Sequence, residues 1–431
     1  MIEKILDILE KAKDEVSIIK DMDKKNSYYE KEQFVDEEGK TDCNLFYGDN
    51  LDVMSFLLDK KEQLDLIYID PPFASKANYS TKIKLKNKDD EIVKFNSLVY
   101  RDNWKEDIIG YLEMLTPRLM LMRELLSDRG SIYIHVDWHA SHYVKIILDE
   151  IFGRDNFINE IIWNYKSGGA SKKRFSRKHD TIFLYSKTND YIFNSKKEKS
   201  YNRGYKKYGF KGVEEYVDDI GWYTLVNMKD TWEIDMVGRT SKERVEYATQ
   251  KPIKLLKRII EISSNKDSIV GDFFSGSGTT VAVASELGRK CISVDSCKKS
   301  VSTIQKRLID NDISYRYFED KKNSKDNNFS VVCKIENGKV NVNNIKYKDV
   351  DKLPIKKKER EEFLKLVSIN KDVVIDYILE CVYINNIIRI YKALDNQESK
   401  EDNNDETMIY EVIYKIVDIF GNYMYVKNPL A

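Results

Sequence analysis

Short apolar segments alternate with amphipathic helical patterns in two separate parts of this chain, and this alternation restricts its fold more than any other feature. The apolar segments are residues 44–49, 64–70 and 131–137 in the first part, and 267–274 and 291–295 in the second. Strands that alternate with helices are typical of a mostly parallel sheet with helices on both faces. We therefore predict an α/β, doubly wound fold in which both parts contribute strands to one sheet.

Helical patterns fill the spaces between these segments. The N-terminal stretch carries an apolar stripe from Ile2 to Ile19 with a period of 3.6 residues. Glycine is common directly after a helix because it adopts the left-handed conformation without steric cost. Further helices are predicted around 111–130, ending at Gly130, around 142–153, ending at Gly153, and at 251–264, 279–288 and 298–311.

The strand predicted from Leu64 to Ile69 passes directly into Asp70, Pro71, Pro72 and Phe73. Five of the six residues from Leu64 to Ile69 are apolar, as in a buried parallel strand. A carboxylate, two rigid rings and an aromatic at a strand end place a fixed hydrogen-bond acceptor beside a stacking surface. A proline-stiffened loop exit with a buried aromatic is the plainer alternative.

A second strand end carries a glycine-containing turn. Asp272 and Phe274 precede Gly276 and Gly278 in a D-x-F-x-G-x-G pattern, and Thr279 then opens a helix. Glycines let a ligand approach the backbone, and the helix N-terminus offers free amides to a carboxylate. Neither the phosphate loop with its lysine nor the GxGxxG spacing is present.

The acids around this turn suggest a specific cofactor. Asp272 can hold an ammonium group, and Asp295, at the end of the next predicted strand, can accept hydrogen bonds from ribose hydroxyls. Ammonium, carboxylate and ribose together describe S-adenosylmethionine. A structural turn with capping aspartates is the alternative for each part taken alone.

With these motifs the sequence resembles the DNA methyltransferases that modify amino groups, and in particular the adenine-N6 enzymes of the permuted class, in which DPPF or DPPY precedes FxGxG. Within that class it resembles the modification subunits of type III restriction-modification systems. The resemblance covers about residues 41–320 well, with similar stretches at 130–165 and 251–280, and the remainder weakly, with "VDIFGN" at 417–422. The resemblance implies a circularly permuted, Rossmann-like S-adenosylmethionine-dependent methyltransferase fold.

The resemblance also implies roles for individual residues. Asp70 and the Pro71 carbonyl would accept the two hydrogens of a target amine, with Pro72 stiffening the backbone and Phe73 stacking on an extracted base. In this family an Asp before the prolines goes mostly with adenine, and a Ser with cytosine N4. Asp49 would approach the cofactor's adenine, with a turn cap as the alternative, and Lys251 its carboxylate, with a surface lysine as the alternative.

A basic segment stands out in a chain that is neutral as a whole, with 72 basic and 72 acidic residues. Residues 164–211 contain fourteen Lys or Arg against three Asp or Glu, interleaved with aromatics. Basic residues mixed with aromatic residues suit contact with the phosphates and exposed nucleobases of a nucleic acid, whereas lysines alone suggest a solvated face. The predicted DNA-binding residues are Lys172, Lys173, Arg174, Arg177, Lys178, Arg203, Lys206 and Lys207.

These readings divide the chain into five parts. We predict an N-terminal helical extension with a charged linker (1–40), a catalytic half (41–187), a target-recognition insert (188–248), a cofactor-binding half (249–320) and a small α+β accessory domain (321–431). In the accessory domain, Asn337 and Gly338 are predicted to form a hairpin turn, and two strands to close the chain at 410–426.

Several alternatives stay open at this point. His135, His139 and His142, with Asp137, could suggest zinc, but they fall on a strand and a helix start, so no metal is predicted. Instead of an adenine-N6 methyltransferase, the chain could be a recognition subunit of a larger restriction complex, or could modify cytosine N4 or RNA. Double-stranded DNA is the expected partner, and the resemblance alone implies a nuclease-helicase subunit. A second copy of the chain is also expected, because relatives pair and the N-terminal stripe is apolar, unless that stripe packs on its own sheet. Five scattered cysteines and the lack of a long apolar run predict a cytoplasmic protein.

Overall fold

The computed structural model describes residues 1–22, 27–35, 41–73, 78–86, 91–101, 108–167, 170–245, 247, 249–321, 328–336, 339–384, 387–394 and 412–427. The helices of these residues are α1 (Ile2–Asp21), α2 (Asn50–Asp59), α3 (Ile108–Leu125), α4 (Ser141–Phe152), α5 (Ile253–Ser263), α6 (Thr279–Glu286), α7 (Lys298–Asp310) and α8 (Arg360–Ile369).

The strands are β1 (Tyr28–Phe34), β2 (Cys43–Tyr47), β3 (Leu64–Ile69), β4 (Asn78–Lys86), β5 (Ile92–Arg101), β6 (Leu126–Val136), β7 (Phe157–Asn164), β8 (His179–Ser186), β9 (Lys197–Tyr201), β10 (Glu215–Val217), β11 (Trp222–Asn227), β12 (Thr231–Glu233), β13 (Ile269–Asp272), β14 (Lys290–Asp295), β15 (Tyr315–Asp320), β16 (Phe329–Glu336), β17 (Lys339–Tyr347), β18 (Ile375–Ile384), β19 (Ile387–Leu394), β20 (Val412–Asp418) and β21 (Tyr423–Lys427).

Fourteen of the described strands form one sheet, in the order β12-β7-β8-β6-β3-β13-β14-β2-β15-β1-β19-β18-β20-β21. The six strands from β6 to β15 in this order are all parallel, with Leu66 opposite Val270 and Val270 opposite Cys291. Both sets of predicted strands therefore meet in one sheet, and the predicted α/β fold is confirmed.

Helices cover both faces of this sheet. Apolar residues of α1 to α4 share one buried cluster with the sheet, and those of α5 to α7 share another on the opposite face. The N-terminal stripe belongs to the first cluster, since Ile5, Leu9 and Val16 are buried and α1 packs on α3. Most of that stripe therefore packs within the chain, while Ile2 and Leu6 remain exposed.

Three boundaries differ from the prediction. Gly130 does not end a helix: α3 stops at Leu125, and Gly130 lies in β6, where a Cβ would stand 2.8 Å from the Leu64 carbonyl oxygen. The segment predicted as a charged linker contains β1, which pairs with β15. The predicted recognition insert contains β12, which returns to the main sheet beside β7. In contrast, Gly153 follows α4 with φ +88°, as predicted.

The C-terminal part is joined to the catalytic sheet, so the boundary predicted at residue 320 does not separate two sheets. Strands β18 to β21 extend the main sheet beyond β1, while β16 and β17 form a separate hairpin. Lys415 of β20 and Glu32 of β1 are both fully buried and lie 2.7 Å apart. The predicted turn at Asn337 and Gly338 lies outside the described residues, but the closing strands are present as β20 and β21.

One hairpin was missed by the sequence analysis. Strands β4 and β5 form a two-stranded sheet whose Leu85 and Phe95 share a buried cluster with the C-terminal residues Phe329 and Phe363. Another small sheet, β10-β11-β9, lies within the predicted insert. Of the helices in the described residues, none is long and apolar enough to cross a bilayer.

Candidate active site

Neighbouring parallel strands end in acidic residues at one edge of the sheet. Asp70 follows β3, Asp272 ends β13, Asp295 ends β14, and Asp49 lies two residues beyond β2. These four strands are consecutive neighbours in the sheet, so their carboxyl ends meet at the same edge. They open into a cavity of about 620 Å³.

Most of the predicted catalytic and cofactor-binding residues line this cavity. Nine of the twelve do so, namely Asp49, Asp70, Pro72, Lys251, Asp272, Phe274, Gly276, Thr279 and Asp295. The other three, Pro71, Phe73 and Gly278, are covalent neighbours of lining residues. The structure thus brings together two motifs that are far apart in the sequence.

The turn between β13 and α6 requires its glycines. Gly276 and Gly278 have φ values of +50° and +72°, in the left-handed region that favours glycine. A Cβ on Gly278 would stand 2.8 Å from Cγ1 of Ile304, and one on Gly276 would stand 3.3 Å from the Tyr247 ring. The backbone of this turn is therefore held close to α7 while its other side faces the cavity.

Asp295 braces this turn. Its Oδ2 accepts the Gly276 N–H at 2.8 Å, and its Oδ1 accepts the Cys297 N–H at 2.8 Å. The Ser300 side chain and the Ser296 backbone also interact with this carboxylate, so it is held firmly beside the turn. Burial raises the pKa of Asp295 to about 6.

Asp272 is the most strongly perturbed acid of the cavity. Its Oδ1 accepts the Phe274 N–H at 3.0 Å, yet burial, reinforced by the charges of Asp70 and Asp295, raises its pKa to about 7. Among the described residues no basic side chain lies within salt-bridge distance of it. A buried carboxylate in this situation gains from a cationic ligand.

Among the described residues, one carboxylate oxygen of Asp70 accepts a hydrogen bond and the other does not. Lys251 donates a hydrogen bond to Oδ2, and its ammonium lies 5.3 Å from the centre of the Phe73 ring. Oδ1 is buried, and within the part of the chain that the structure describes it has no hydrogen-bond partner. Buried acceptors of this kind normally have partners, so Oδ1 is suited to a donor from a ligand. The structure pairs Lys251 with Asp70, whereas the sequence analysis placed it near the cofactor's carboxylate.

A buried histidine, His135, lies next to Asp70. His135 has no exposed surface, and its Nδ1 lies 3.9 Å from Oδ1 of Asp70. The ring also lies between the Tyr68 hydroxyl, 2.9 Å from Nδ1, and Asp180, 3.2 Å from Nε2. An Nε2–H that donates to Asp180 leaves Nδ1 to accept the Tyr68 proton. Although burial raises it, this hydrogen bond from His135 holds the pKa of Asp180 below its usual value.

The histidines do not converge on one point. His139 bonds Asp137 at 2.5 Å, whereas His135 bonds Tyr68 and Asp180. Among the described residues, no three metal-ligating side chains are grouped.

Asp49 has a structural role as well as a place in the cavity wall. It caps α2 by accepting the Leu51 N–H at 2.8 Å, and it pairs with Arg118 at 3.3 Å. The cap considered from the sequence is therefore present, and the approach of Asp49 to the cofactor's adenine stays a prediction.

Two supporting residues were missed by the sequence analysis. Arg307, buried on α7, donates to the Ser277 carbonyl at 2.9 Å and to the Thr279 hydroxyl at 3.1 Å. Ser275 Oγ donates to the Asp272 carbonyl and accepts the Val294 N–H at 3.0 Å. The only signal in the sequence was an arginine on the apolar face of a helix.

The far wall of the cavity comes from segments outside the central strands. The cavity is also lined by Ser97, Leu98, Leu353, Pro354, Phe420 and Asn422. The Leu98 N–H donates to the Pro354 carbonyl at 2.6 Å, which ties the β4–β5 hairpin to the C-terminal part. Gly421 has φ +81°, and a Cβ there would stand 2.3 Å from the Lys298 carbonyl oxygen. The turn between β20 and β21 therefore lies directly against the start of α7.

The eight predicted DNA-binding residues fall into two places. Lys172, Lys173 and Arg174 are exposed in the loop between β7 and β8, which also carries Arg177 and Lys178. Arg203, Lys206 and Lys207 lie between β9 and β10, within the separate small sheet. The first group therefore lies in the β7–β8 loop, and the second lies beside the small β10-β11-β9 sheet.

The chain matches the family described as DNA methylase over residues 64–306, more than half of its length. The type II methyltransferase M.EcaI of Enterobacter cloacae is 29% identical, in a match that covers 62% of this chain and 69% of that protein. The Mod subunit of the type III restriction-modification enzyme StyLTI of Salmonella typhimurium is 26% identical over 56% of this chain and 50% of the subunit. The chain therefore spans about half of that subunit.

Similar chains also occur among named adenine enzymes and solved structures. The DNA adenine methyltransferase YhdJ of Escherichia coli is 27% identical over 60% of this chain and 79% of that protein. The crystal structure of the M1.HpyAVI–SAM complex is 18% identical, with a TM-score of 0.40 over 62% of this chain and 98% of that one. The cytosine-N4-specific PvuII DNA methyltransferase is 17% identical, with a TM-score of 0.43 over 66% of this chain and 91% of that one.

Proposed function

This chain belongs to the DNA methylase family, and from that premise we propose that it transfers a methyl group from S-adenosylmethionine to the N6 amine of an adenine in duplex DNA. Relatives named as type II, type III and adenine DNA methyltransferases support this substrate. The observation that carries the proposal is Oδ1 of Asp70, which is buried, has no hydrogen-bond partner among the described residues, and lies at the cavity that also holds the glycine turn.

The cavity fits the cofactor on two counts. Gly276 and Gly278 let the turn backbone pass closely between α7 and the cavity. The start of α6 also borders the cavity through Thr279 and Thr280, and a helix N-terminus can bind an anionic group. Asp272 and Asp295 provide buried carboxylates for an ammonium group and for hydroxyls. When bound, S-adenosylmethionine supplies a methyl group that its sulfonium already activates.

Asp70 prepares the target amine. An exocyclic amine is a weak nucleophile because its lone pair is delocalised into the base. Oδ1 of Asp70 and the Pro71 carbonyl each accept one of its hydrogens, which frees the lone pair to form the new N–C bond as the S–C bond breaks. The amine then carries a surplus proton, which Asp70 accepts and passes to solvent.

Lys251 and His135 keep Asp70 ready for this role. The hydrogen bond from Lys251 fixes Oδ2, so that Oδ1 keeps one orientation. His135, which is hydrogen-bonded to Tyr68 and Asp180, packs next to the Asp70 carboxylate. Preorganised acceptors of this kind lower the reorganisation needed in the transition state.

The test is methyl transfer by the Asp70→Asn variant, which keeps the size of the side chain but replaces the accepting charge. Transfer of tritiated methyl groups to DNA by the purified chain is expected to fall at least a hundredfold, on the scale of losing one preorganised electrostatic contact. Cofactor and DNA binding should persist. Asp128→Asn is the control, because Asp128 is exposed near the opposite end of β6.

Transfer by Asp70→Asn within tenfold of the wild-type rate would contradict the role of Asp70. No transfer by the wild-type chain alone would favour the second candidate, a recognition subunit whose methylation depends on a partner. Nucleoside analysis of the product separates N6-methyladenine from N4-methylcytosine, the alternative that the family also covers and that Asp70, in place of Ser, disfavours.

The partners beyond DNA rest on the resemblance to a Mod subunit. A nuclease-helicase subunit, a homodimer and a cytoplasmic location stay predictions. Co-purification with a tagged chain and light scattering on the eluted peak test the first two, and a monomer that elutes alone at all concentrations would contradict both.

The basic segments are proposed to bind the DNA backbone. The loop at 172–178 and the 203–207 segment together carry eight cations, and the 188–248 region is proposed to read the target sequence. Counterion release predicts that DNA affinity falls steeply between 50 and 200 mM salt, by about a thousandfold if most of these cations contact phosphates. Salt-independent binding would contradict this assignment.

A further inference from the structure

The loop between β7 and β8 carries an unusual apolar residue. Phe175 is 98% exposed, more than any other large hydrophobic residue that the structure describes. It lies in the run Ser-Lys-Lys-Arg-Phe-Ser-Arg-Lys at 171–178, so cations stand on both sides of it. A fully exposed ring between cations suits a surface where phosphates surround stacked bases.

The direction of the strands places this loop at the edge of the candidate active site. β7 and β6 are each antiparallel to β8, so β7 runs in the same direction as β6 and ends at the same edge of the sheet. β6 is the neighbour of β3, whose end carries Asp70. The loop therefore begins and ends on the side where the target base must enter.

Contacts near the two ends of this loop hold it in place, while Phe175 remains exposed. The Arg177 guanidinium stacks on Trp138, 3.3 Å from the ring centre, and Trp138 lies two residues beyond the end of β6. Lys178 donates to the carbonyls of Lys166 and Ser167 at 3.2 Å, which closes the loop across its base. Phe175 is thus presented from a braced loop.

We propose that Phe175 inserts into the duplex at the position of the extruded adenine and stacks in the gap. This rests on the proposed function, since only an enzyme that takes the base out of the stack leaves such a gap. Extrusion costs the stacking and pairing of one base, and a ring in the gap recovers part of that loss. Lys172, Lys173 and Arg174 then contact the adjacent phosphates.

The test compares Phe175→Ala and Phe175→Trp on two synthetic duplexes. Both carry the site that long-read sequencing finds methylated in plasmid DNA treated with the wild-type chain. In one duplex the target adenine is paired, and in the other it faces an abasic position, so that its extrusion costs little. Phe175→Ala should lower kcat/KM on the paired duplex by about tenfold to a hundredfold, the effect of losing one aromatic–base stack. On the abasic duplex it should stay within about threefold, and Phe175→Trp should retain activity on both.

A matched control is Tyr383→Ala. Tyr383 is an aromatic residue that is 47% exposed, and it lies on β18, in the part of the sheet beyond β1 and outside the proposed DNA-binding segments. This variant should behave as wild type on both duplexes, and all variants should bind S-adenosylmethionine equally. Fluorescence of 2-aminopurine at the target position gives a second readout, and its increase on binding should be smaller with Phe175→Ala.

Each outcome decides the proposal. Equal losses on both duplexes, no loss on the paired duplex, or the same loss with Tyr383→Ala would overturn the insertion of Phe175. Absence of methylation by the wild-type chain would instead overturn the proposed function, so the two failures are distinguishable.

Discussion

Replacing Gly278 by alanine tests whether the glycine turn holds the cofactor side of the site. Gly278 has φ +72°, and a Cβ would stand 2.8 Å from Cγ1 of Ile304, which is buried on α7. The left-handed backbone costs an alanine about 1–2 kcal/mol, and pushing a methyl group into a packed core adds about 1–3 kcal/mol. Gly278→Ala should therefore lower the free energy of unfolding by about 2–5 kcal/mol.

A second glycine separates the two contributions. Gly209 has nearly the same backbone, with φ +69°, but an added Cβ meets nothing within 4 Å. Gly209→Ala should show only the backbone cost of about 1–2 kcal/mol. Guanidinium unfolding followed by circular dichroism measures both variants, and calorimetry of S-adenosylmethionine binding should show weaker affinity for Gly278→Ala alone.

A double-mutant cycle tests the contact itself. Ile304→Ala alone should cost about 2–5 kcal/mol, because it leaves a cavity. In the Gly278→Ala background it should cost clearly less, since the new methyl group occupies part of that space. Additive effects, or a Gly278→Ala variant no worse than Gly209→Ala, would refute the close approach of the turn to α7.

Three further predictions concern the cofactor cavity and its attachment to the C-terminal part. Burial and neighbouring charges raise the pKa of Asp272 to about 7, and an ammonium group of the cofactor needs the ionised form of this acid. S-adenosylmethionine should therefore bind about tenfold more weakly at pH 6 than at pH 8 when measured by calorimetry. Equal affinity at the two pH values would contradict this. Gly421→Ala, with its Cβ 2.3 Å from the Lys298 carbonyl oxygen, should raise the cofactor Kd at least about tenfold as the cavity wall shifts, whereas Gly212→Ala, at φ +82° in open space, should leave it unchanged. Lys415→Met strands the buried charge of Glu32 and should cost about 3–5 kcal/mol in chemical unfolding, and a loss below about 1 kcal/mol would argue against a buried pair.

Local patterns were sufficient to predict the centre of the fold and the candidate site. Each acid of the cavity follows an apolar segment directly, and parallel strands bring their carboxyl ends to one edge, so Asp70, Asp272 and Asp295 could be expected together. A close backbone approach to a ligand at the glycines at 276 and 278 was also predicted, whereas their left-handed φ values and their proximity to α7 come from the structure.

The attached parts could not be predicted in this way, because their stability depends on residues distant in sequence. The segment from Tyr28 to Phe34 looks like a charged linker, yet it is a strand because Lys415 pairs with Glu32 and β15 with its backbone. From the sequence, a charged residue is expected to be exposed to solvent, because a distant partner that would allow its burial cannot be identified.

Sequence patterns alone show which acids stand at strand ends and which turn needs glycine. Three contacts are visible only in the folded chain: Lys251 donates to Asp70, Arg307 donates to the glycine turn, and the turn at Gly421 lies against α7 at the far wall of the cavity. The difference comes from separation along the sequence. Backbone preference and burial act over a few residues and leave a periodic pattern, whereas these contacts join segments whose distance in sequence leaves no pattern to read.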